Sequence, residues 1–183
     1  SGISGSTPCV NALTVYKGDL IAGGSFSMAG GISSNGISRW DGTAWHALGS
    51  SVNSIVYSLA VYNEDLIAGG KFLMAGGNPA NRIARWTGTN WFPMGSGMNG
   101  SGFTPEVYAL TVYGGELIAA GPFQTAGGVP ANNVAAWDGA SWHALGDGVD
   151  GGTRALTVFE GDLILGGGFT MADGAPANNI ARW

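Results

Sequence analysis

The sequence is poor in charged residues. Only 10% of the 183 residues are charged, well below the roughly 25% of an average soluble domain. Its 12 Asp and Glu residues exceed its 7 Lys and Arg residues, and no basic stripe is available to neutralise phosphates. We therefore expect no nucleic-acid partner and no affinity for anionic membranes.

Cysteine, histidine and long apolar runs are also scarce. Cys9 is the single cysteine, which excludes an intramolecular disulfide and a metal cluster built from thiolates. No run approaches the roughly 20 apolar residues that span a bilayer, so we expect no membrane span. The first residues lack the basic and apolar regions of a signal peptide, which suggests mature or excised material. We expect neither a metal site nor a cofactor.

Glycine and tryptophan are abundant instead, with 34 and 7 copies, and they recur periodically. One tryptophan and one leucine mark each copy of the repeat, at intervals of 46, 51 and 46 residues: Trp40, Trp86, Trp137 and Trp183, and Leu20, Leu66, Leu117 and Leu163. The five additional residues of the third copy lie between Gly95 and Leu110, in a connection. Self-similarity at such a period is the signature of a repeat architecture.

Each copy predicts β-strands and no helix. In the first copy, residues 12–16 alternate apolar with small or polar residues, and a tight-turn sequence separates them from a second strand that begins at Leu20. A longer loop with Ala-Gly-Gly and, in three copies, Pro-Ala-Asn leads to a third strand that ends at a tryptophan. A second tryptophan begins strand four, as in 45–49. Paired glycines inside the second strand indicate that neighbouring sheets approach closely there.

A unit of this size cannot bury both of its faces alone, so the copies must stack. We predict an all-β fold, a β-propeller of four repeats of a four-stranded antiparallel blade, with the last blade incomplete. The single domain, or slice of one, covers residues 1–183, and the blades span approximately 9–52, 53–98, 99–149 and 150–183.

The two ends of the sequence fall at different points of the repeat. Residues 1–3 resemble residues 96–98, so the first copy starts just after a fourth strand, whereas the last copy stops at Trp183, before its own fourth strand. The unpaired edge invites pairing with another chain, and we expect self-association through the incomplete last blade. Three arrangements remain open: a slice of a longer array, which we favour, a four-bladed ring with one incomplete blade, or one half of a ring shared by two molecules.

The repeat strings are Gly-Gly-x-Phe, Ala-Gly-Gly-x-Pro-Ala-Asn-x-Ile-Ala-Arg-Trp and Asp-Gly-x-x-Trp-x-x-Leu-Gly. They resemble the kelch-like propeller repeats of large secreted or surface-attached bacterial proteins, and they are similar to repeats of the fungal Rax2-like cortical polarity marker. The resemblance covers all but the first ten residues and implies a propeller in an extracellular or cell-surface setting. Kelch-type enzymes of the galactose oxidase kind need copper ligands from Tyr, His and Cys, and that activity does not carry over to two histidines and one cysteine.

Acidic and basic side chains occupy matching places in the repeats. An acid begins strand two in every copy, and an arginine lies near the end of strand three in three copies: Asp19, Asp65, Glu116 and Asp162, and Arg39, Arg85 and Arg182. Because these strands are antiparallel neighbours, we expect ion pairs that tie the hairpins together. Glu116 should lack this partner, since Ala136 replaces the arginine. His46 and His143 share a position that Phe92 fills in copy two, which indicates a structural or surface role rather than a catalytic base.

Repeated amides and aromatic rings are the candidate ligand-binding residues. An asparagine ends the long loop of every copy, and a second tryptophan begins strand four in three copies: Asn35, Asn81, Asn132 and Asn178, and Trp45, Trp91 and Trp142. We expect the asparagines to bond backbone groups two residues on and the tryptophans to pack between blades. Sugar-binding sites combine loop amides with aromatic rings, so glycan contact is the alternative for both sets.

No pattern predicts catalysis. A phosphate loop, zinc-ligand spacing and a nucleophile elbow are absent, and residues 146–152 lack the ligand spacing of an EF-hand. We expect no enzyme, but a non-catalytic extracellular module that binds a protein or carbohydrate partner or acts as a rigid spacer of a surface protein. The alternatives are a glycan-binding lectin with repeated sites, one per blade, and an enzyme with its active site on the loop face.

Overall fold

The computed structural model describes residues 2–183, which form β-strands and connections without a helix. The chain divides into two compact units, one ending at Pro93 and the other spanning Met94–Trp183. Each unit contains the strands of two sequence repeats. The prediction of an all-β fold is confirmed.

The first unit holds repeats one and two. Its strands are β1 (Ile3–Ser4), β2 (Cys9–Tyr16), β3 (Asp19–Ser25), β4 (Met28–Ala29), β5 (Ile32–Ser33), β6 (Ile37–Trp40), β7 (Trp45–Ala47), β8 (Val56–Tyr62), β9 (Asp65–Gly70), β10 (Met74–Ala75), β11 (Asn78–Pro79), β12 (Ile83–Trp86) and β13 (Trp91–Pro93). Two four-stranded antiparallel sheets, β2-β3-β6-β7 and β8-β9-β12-β13, correspond to the two repeats. Short ribbons, β1-β4-β5 and β10-β11, accompany them.

The second unit holds repeats three and four. Its strands are β14 (Met98–Asn99), β15 (Ala109–Tyr113), β16 (Glu116–Ala120), β17 (Thr125–Ala126), β18 (Val129–Pro130), β19 (Val134–Trp137), β20 (Trp142–Ala144), β21 (Thr153–Phe159), β22 (Asp162–Gly167), β23 (Met171–Ala172), β24 (Ala175–Pro176) and β25 (Ile180–Arg182). Repeat three forms the sheet β15-β16-β19-β20, and repeat four forms the three-stranded sheet β21-β22-β25, as expected from its missing fourth strand. The accompanying ribbons are β14-β17-β18 and β23-β24.

The segment between strands two and three, predicted from sequence as a longer loop, contains a short β-hairpin. In repeat one, β4 pairs with β5 around Gly30 and Gly31, whose φ angles are +60° and +86°. Two left-handed residues in succession match the twist of the flanking strands, and glycine adopts them without strain. In repeat four, Asp173 and Gly174 fill the same two places with φ of +48° and +73°.

The segment that precedes each repeat joins this hairpin as a further strand or bridge. Ile3 pairs with Ala29 in repeat one, and Met98 pairs with Ala126 in repeat three. The sequence similarity therefore reflects one shared structural role at Ile3 and Met98, whereas Ser1 lies outside the described residues.

Each unit has a core between its two sheets. In the first unit, Ile37 of repeat one and Val56 and Phe72 of repeat two belong to one buried cluster. A Cβ atom on Gly23 would lie 2.6 Å from Val56 Cγ1, so the strand-two glycine allows the neighbouring sheet to approach. The prediction is confirmed at Gly23, whereas Cβ atoms on Gly24, Gly70 and Gly121 would meet backbone next to or in the first strand of their own repeat. In the second unit, the corresponding cluster is built from both repeats and includes Ile118, Val134, Val149, Leu163, Leu165 and Phe169.

The hairpin glycines give a matched test of this packing. A Cβ atom on Gly76 would lie 2.9 Å from Trp91 Cβ, whereas one on Gly77 would have no neighbour within 4 Å, and both residues have positive φ. Gly76→Ala should therefore lower the free energy of unfolding by roughly 1–3 kcal/mol more than Gly77→Ala, because overpacking adds to the shared backbone strain. Urea denaturation followed by tryptophan fluorescence measures the difference. Equal losses in the two variants would contradict the packing described here.

Candidate functional site

Paired tryptophans join strands three and four in three repeats. The antiparallel register places the two rings directly opposite one another, with centroid separations of 5.3–5.5 Å in the pairs Trp40–Trp45, Trp86–Trp91 and Trp137–Trp142. The rings are tilted, a favourable arrangement for aromatic pairs. These pairs therefore fix the outer hairpin of each complete repeat.

The second tryptophan of a pair also contacts the preceding repeat. The Nε1–H of Trp91 donates to the Leu48 carbonyl and that of Trp142 to the Met94 carbonyl, both at 2.9 Å. The two side chains are only 3% and 4% exposed. Their predicted packing between repeats is confirmed, and little ring face remains for a ligand. Trp45 is half-buried, and among residues 2–183 its Nε1 has no hydrogen-bond acceptor.

This contact explains why leucine and glycine follow the second tryptophan in the Trp-x-x-Leu-Gly string. The Leu48 carbonyl accepts the Trp91 bond, and a Cβ atom on Gly49 would lie 3.2 Å from the Trp86 ring. Leucine thus provides the buried end of strand four, and glycine leaves room for the next pair of rings.

Comparing Trp91→Phe with Trp45→Phe tests how much the indole hydrogen bond contributes, since both variants keep an aromatic ring. Trp91→Phe loses the bond and leaves the Leu48 carbonyl without this donor, whereas Trp45→Phe loses no bond to residues 2–183. We expect Trp91→Phe to lower the free energy of unfolding by about 1–2 kcal/mol more than Trp45→Phe. Thermal or urea denaturation of both variants measures this. A larger loss for Trp45→Phe would contradict the assignment.

Ion pairs tie strand two to strand three, as predicted. The pairs are Arg39 Nη1–Asp19 Oδ2 at 2.5 Å, Arg85 Nη1–Asp65 Oδ2 at 2.7 Å, and Arg182 with Asp162. All three are partly exposed, and exposed pairs typically contribute about 0.2–1 kcal/mol each. With one carboxylate in each pair, they hold hairpins and do not form the paired acids of a hydrolase.

In the third repeat, a histidine from strand four takes the place of the arginine as the partner of the strand-two acid. Glu116 lacks an arginine partner as expected, but its Oε1 lies 2.9 Å from His143 Nε2. This hydrogen bond raises the pKa of His143 above its ordinary value, against a smaller opposing effect of desolvation. In repeat one, where Arg39 holds the strand-two acid, His46 Nε2 instead lies 2.6 Å from Asp41 Oδ2. Both histidines thus serve as partners of structural carboxylates.

His143 predicts a pH-dependent stability. Because its folded-state pKa is raised, its contribution is complete below its ordinary pKa of about 6.5 and is lost as the pH rises through the raised value. We expect the stability difference between the wild type and His143→Phe to shrink by roughly 0.2–1 kcal/mol from about pH 5 to about pH 9. Urea midpoints across this range measure it. Glu116→Gln should flatten the dependence, and an unchanged slope in that variant would refute the pairing.

The candidate asparagines lie at the turn that leads into strand three. Asn132 Nδ2 donates to the Asp147 backbone carbonyl at 3.0 Å, and the backbone carbonyl of Asn132 accepts from Val149 N at 3.0 Å. The expected bond to the backbone two residues on is therefore wrong for Asn132, because its side chain links repeat three to the start of repeat four. The Asn35 carbonyl likewise accepts from Val52 N. Asn35 and Asn178 are exposed, and Asn81 is half-buried.

Two of these asparagines line equivalent cavities. In the first unit, a cavity of about 330 Å³, here named the hydroxyl pocket, is lined by Ser6, Thr7, Ser25, Ser27, Asn35, Asn53 and Ser54 with neighbouring backbone. In the second unit, a cavity of about 540 Å³, here named the Phe103 pocket, is lined by Phe103, Gln124, Asn132, Asn133, Asp147 and Asp150 with neighbouring residues. Neither lining includes a candidate tryptophan.

Trp91 lies instead beside a third cavity, of about 620 Å³, together with Trp86 and Phe92. The structure therefore does not bring the candidate tryptophans and asparagines together in these cavities. Ligand binding by either set stays a prediction. Sequence reasoning missed Phe103, Gln124 and Asp147 as residues of one cavity, although the insertion between Gly95 and Leu110 marked the segment that carries Phe103.

Asp150 stabilises the glycine-rich run at residues 146–152. Its carboxylate accepts bonds from Thr170 Oγ1, Thr170 N and Met171 N, which lower its pKa. Asn53 makes the same two backbone bonds in repeat two. Within residues 2–183, no group of three or more His, Cys, Asp or Glu side chains is placed to hold a metal ion. The same part of the chain has no helix with the length and apolar character needed to cross a membrane.

Comparison with solved structures shows a likeness of fold. The chain matches the crystal structure of the computationally designed Ika4 protein with a TM-score of 0.57 and 15% identity, over 100% of this chain and 94% of that one. It matches the computationally designed Ika8 protein with a TM-score of 0.57 and 16% identity, over 100% of this chain and 48% of that one, so it spans about half of Ika8. No family model and no curated protein matches the sequence. The kelch-like and Rax2-like resemblance stays a prediction.

Proposed function

We propose that this chain is a non-catalytic β-propeller module whose repeats act as blades, and that its end repeats bind a second copy of the chain. By the resemblance of its repeat strings, we propose an extracellular or cell-surface setting, where such a module serves as a scaffold or binding unit. The observation that carries the proposal is the exposure of apolar side chains at the two end repeats, at positions that are covered within each unit.

The burial of the first-strand leucine shows whether the front face of a repeat is covered. Leu59 packs against the core of the first unit and Leu156 against the core of the second. Leu13 holds the same position in repeat one and is 62% exposed. The front of repeat one is therefore an uncovered copy of a packing surface.

The burial of the third-strand aliphatic residue shows whether the opposite, back face of a repeat is covered. Ile37 and Val134 are fully buried, whereas Ile180 holds the same position in repeat four and is 65% exposed. Phe159 of the same sheet is also exposed. Single exposed apolar residues are common in proteins. Here, however, Ile180 and Phe159 hold repeat positions that are buried in repeat one, at Ile37 and Tyr16.

Faces equivalent to these two already pack against each other inside each unit. Inside the first unit, Ile37 belongs to the cluster against which Leu59 packs, and inside the second unit Val134 and Leu156 belong together in the same way. The back of repeat four in one copy would thus receive the front of repeat one in another. Such head-to-tail contacts close into a ring when the rotation between blades permits it.

The test of this proposal is the mass in solution. Light scattering should give twice the 18.5 kDa of one chain, or a larger multiple, for the wild type. Leu13→Lys or Ile180→Lys alone should reduce the mass to that of one chain, because a buried lysine without a partner disfavours the contact. Val129→Lys, an exposed substitution in the hairpin of repeat three, is the control and should leave the mass unchanged. A wild-type mass of one chain, or equal behaviour of all three variants, would overturn the proposal.

A further inference from the structure

The hydroxyl pocket and the Phe103 pocket occupy the same place in the two units. Each lies where the strand-three turn of one repeat meets the first residues of the next, so that Asn35 corresponds to Asn132 and Asn53 to Asp150. The surrounding backbone is repeated except in the longer segment that carries Phe103, so the two cavities differ in that segment and in the side chains that line them.

An aromatic ring distinguishes the Phe103 pocket. Ser6 lines the hydroxyl pocket at the position where the insertion of repeat three supplies Phe103. The Phe103 side chain is 44% exposed, so a ring face is available at the mouth of the cavity. A Cβ atom on Gly100 would lie 3.0 Å from Phe103 Cζ, so the ring rests against the glycine backbone.

Three polar side chains of this pocket retain unused bonding capacity, and two of them are held in place. Gln124 Oε1 accepts from Ser101 N and Oγ, which fixes the side chain and leaves its amide N–H groups available. Asn132 Nδ2 is bonded to the Asp147 carbonyl, which leaves the amide oxygen. The Asp147 carboxylate has no hydrogen-bond partner among residues 2–183.

We propose that the Phe103 pocket binds a neutral carbohydrate. The apolar face of a pyranose would stack on Phe103, while its hydroxyl groups bond with Gln124, Asn132 and Asp147. A volume of about 540 Å³ is within the usual range for small-molecule sites and accommodates a short oligosaccharide. The lining has acceptors and an amide donor but no Lys or Arg, which disfavours an anionic ligand. Because Gln124 and Asn132 are already positioned, their contacts with a ligand require little ordering. This site goes beyond the proposed scaffold function, since neither spacing nor self-association requires it.

The test uses ligand-observed saturation-transfer NMR on the full chain. The probes are cellohexaose, laminarihexaose, mannohexaose and chitohexaose, each added separately in large excess. At least one probe should give a transfer signal with the wild type. Phe103→Ser gives this position the residue that the hydroxyl pocket has there, Ser6, and should reduce the signal several-fold. Gln124→Ser likewise introduces the counterpart of Ser27 and should also weaken the signal. Light scattering on the same samples separates this result from the fate of the self-association proposal.

Phe92→Ser is the matched control, because Phe92 is an exposed ring beside the third cavity. It should retain the signal. Loss of the signal in Phe92→Ser with retention in Phe103→Ser would move binding to the other cavity and overturn the proposal. Absence of a signal with all four probes would also overturn it, as would binding of an N-acetyl-lysine probe alone, which would assign the pocket to a cation.

Discussion

The structure depends on one repeated contact, in which the second tryptophan of a repeat is held between its own glycine hairpin and the carbonyl that ends the preceding repeat. Gly76 and Leu48 enclose Trp91 in this way, and Gly127 and Met94 enclose Trp142. The ring buries a large apolar area, and its single polar atom is satisfied across the boundary. A unit too small to bury both faces thereby obtains one face from its neighbour.

The remaining features follow from this stacking. Gly23 allows the adjacent sheet to approach, and the exposed ends at Leu13 and Ile180 are positions where stacking has no neighbour within the unit. A cavity lies at the boundary between the two repeats of each unit. The hydroxyl pocket and the Phe103 pocket show how one geometry presents different chemistry when a few side chains change. The repeated residues therefore provide stability, and the variable residues set the chemistry of the cavities.

Much of the fold could be predicted from the sequence, because the signals are local and occur several times. Strand alternation, two-residue turns and the Asp19–Arg39 type of ion pair all follow from spacing within one repeat. The hairpin at Gly30 was predicted as a loop because its strands have only two residues, too short for an alternating pattern. The His143–Glu116 pair and the Phe103 pocket depend on side chains brought together from separate strands or repeats, which periodicity does not specify.

Hydrogen exchange of the tryptophan indole N–H groups tests the central contact most directly. In ¹⁵N-labelled protein transferred to D₂O, the account predicts that the indole N–H signals of Trp91 and Trp142 persist, exchanging roughly tenfold or more slowly than that of Trp45, since only the first two are bonded to a buried carbonyl. Equal exchange at all three indoles would show that the repeats are not held together by this bond and would contradict the account.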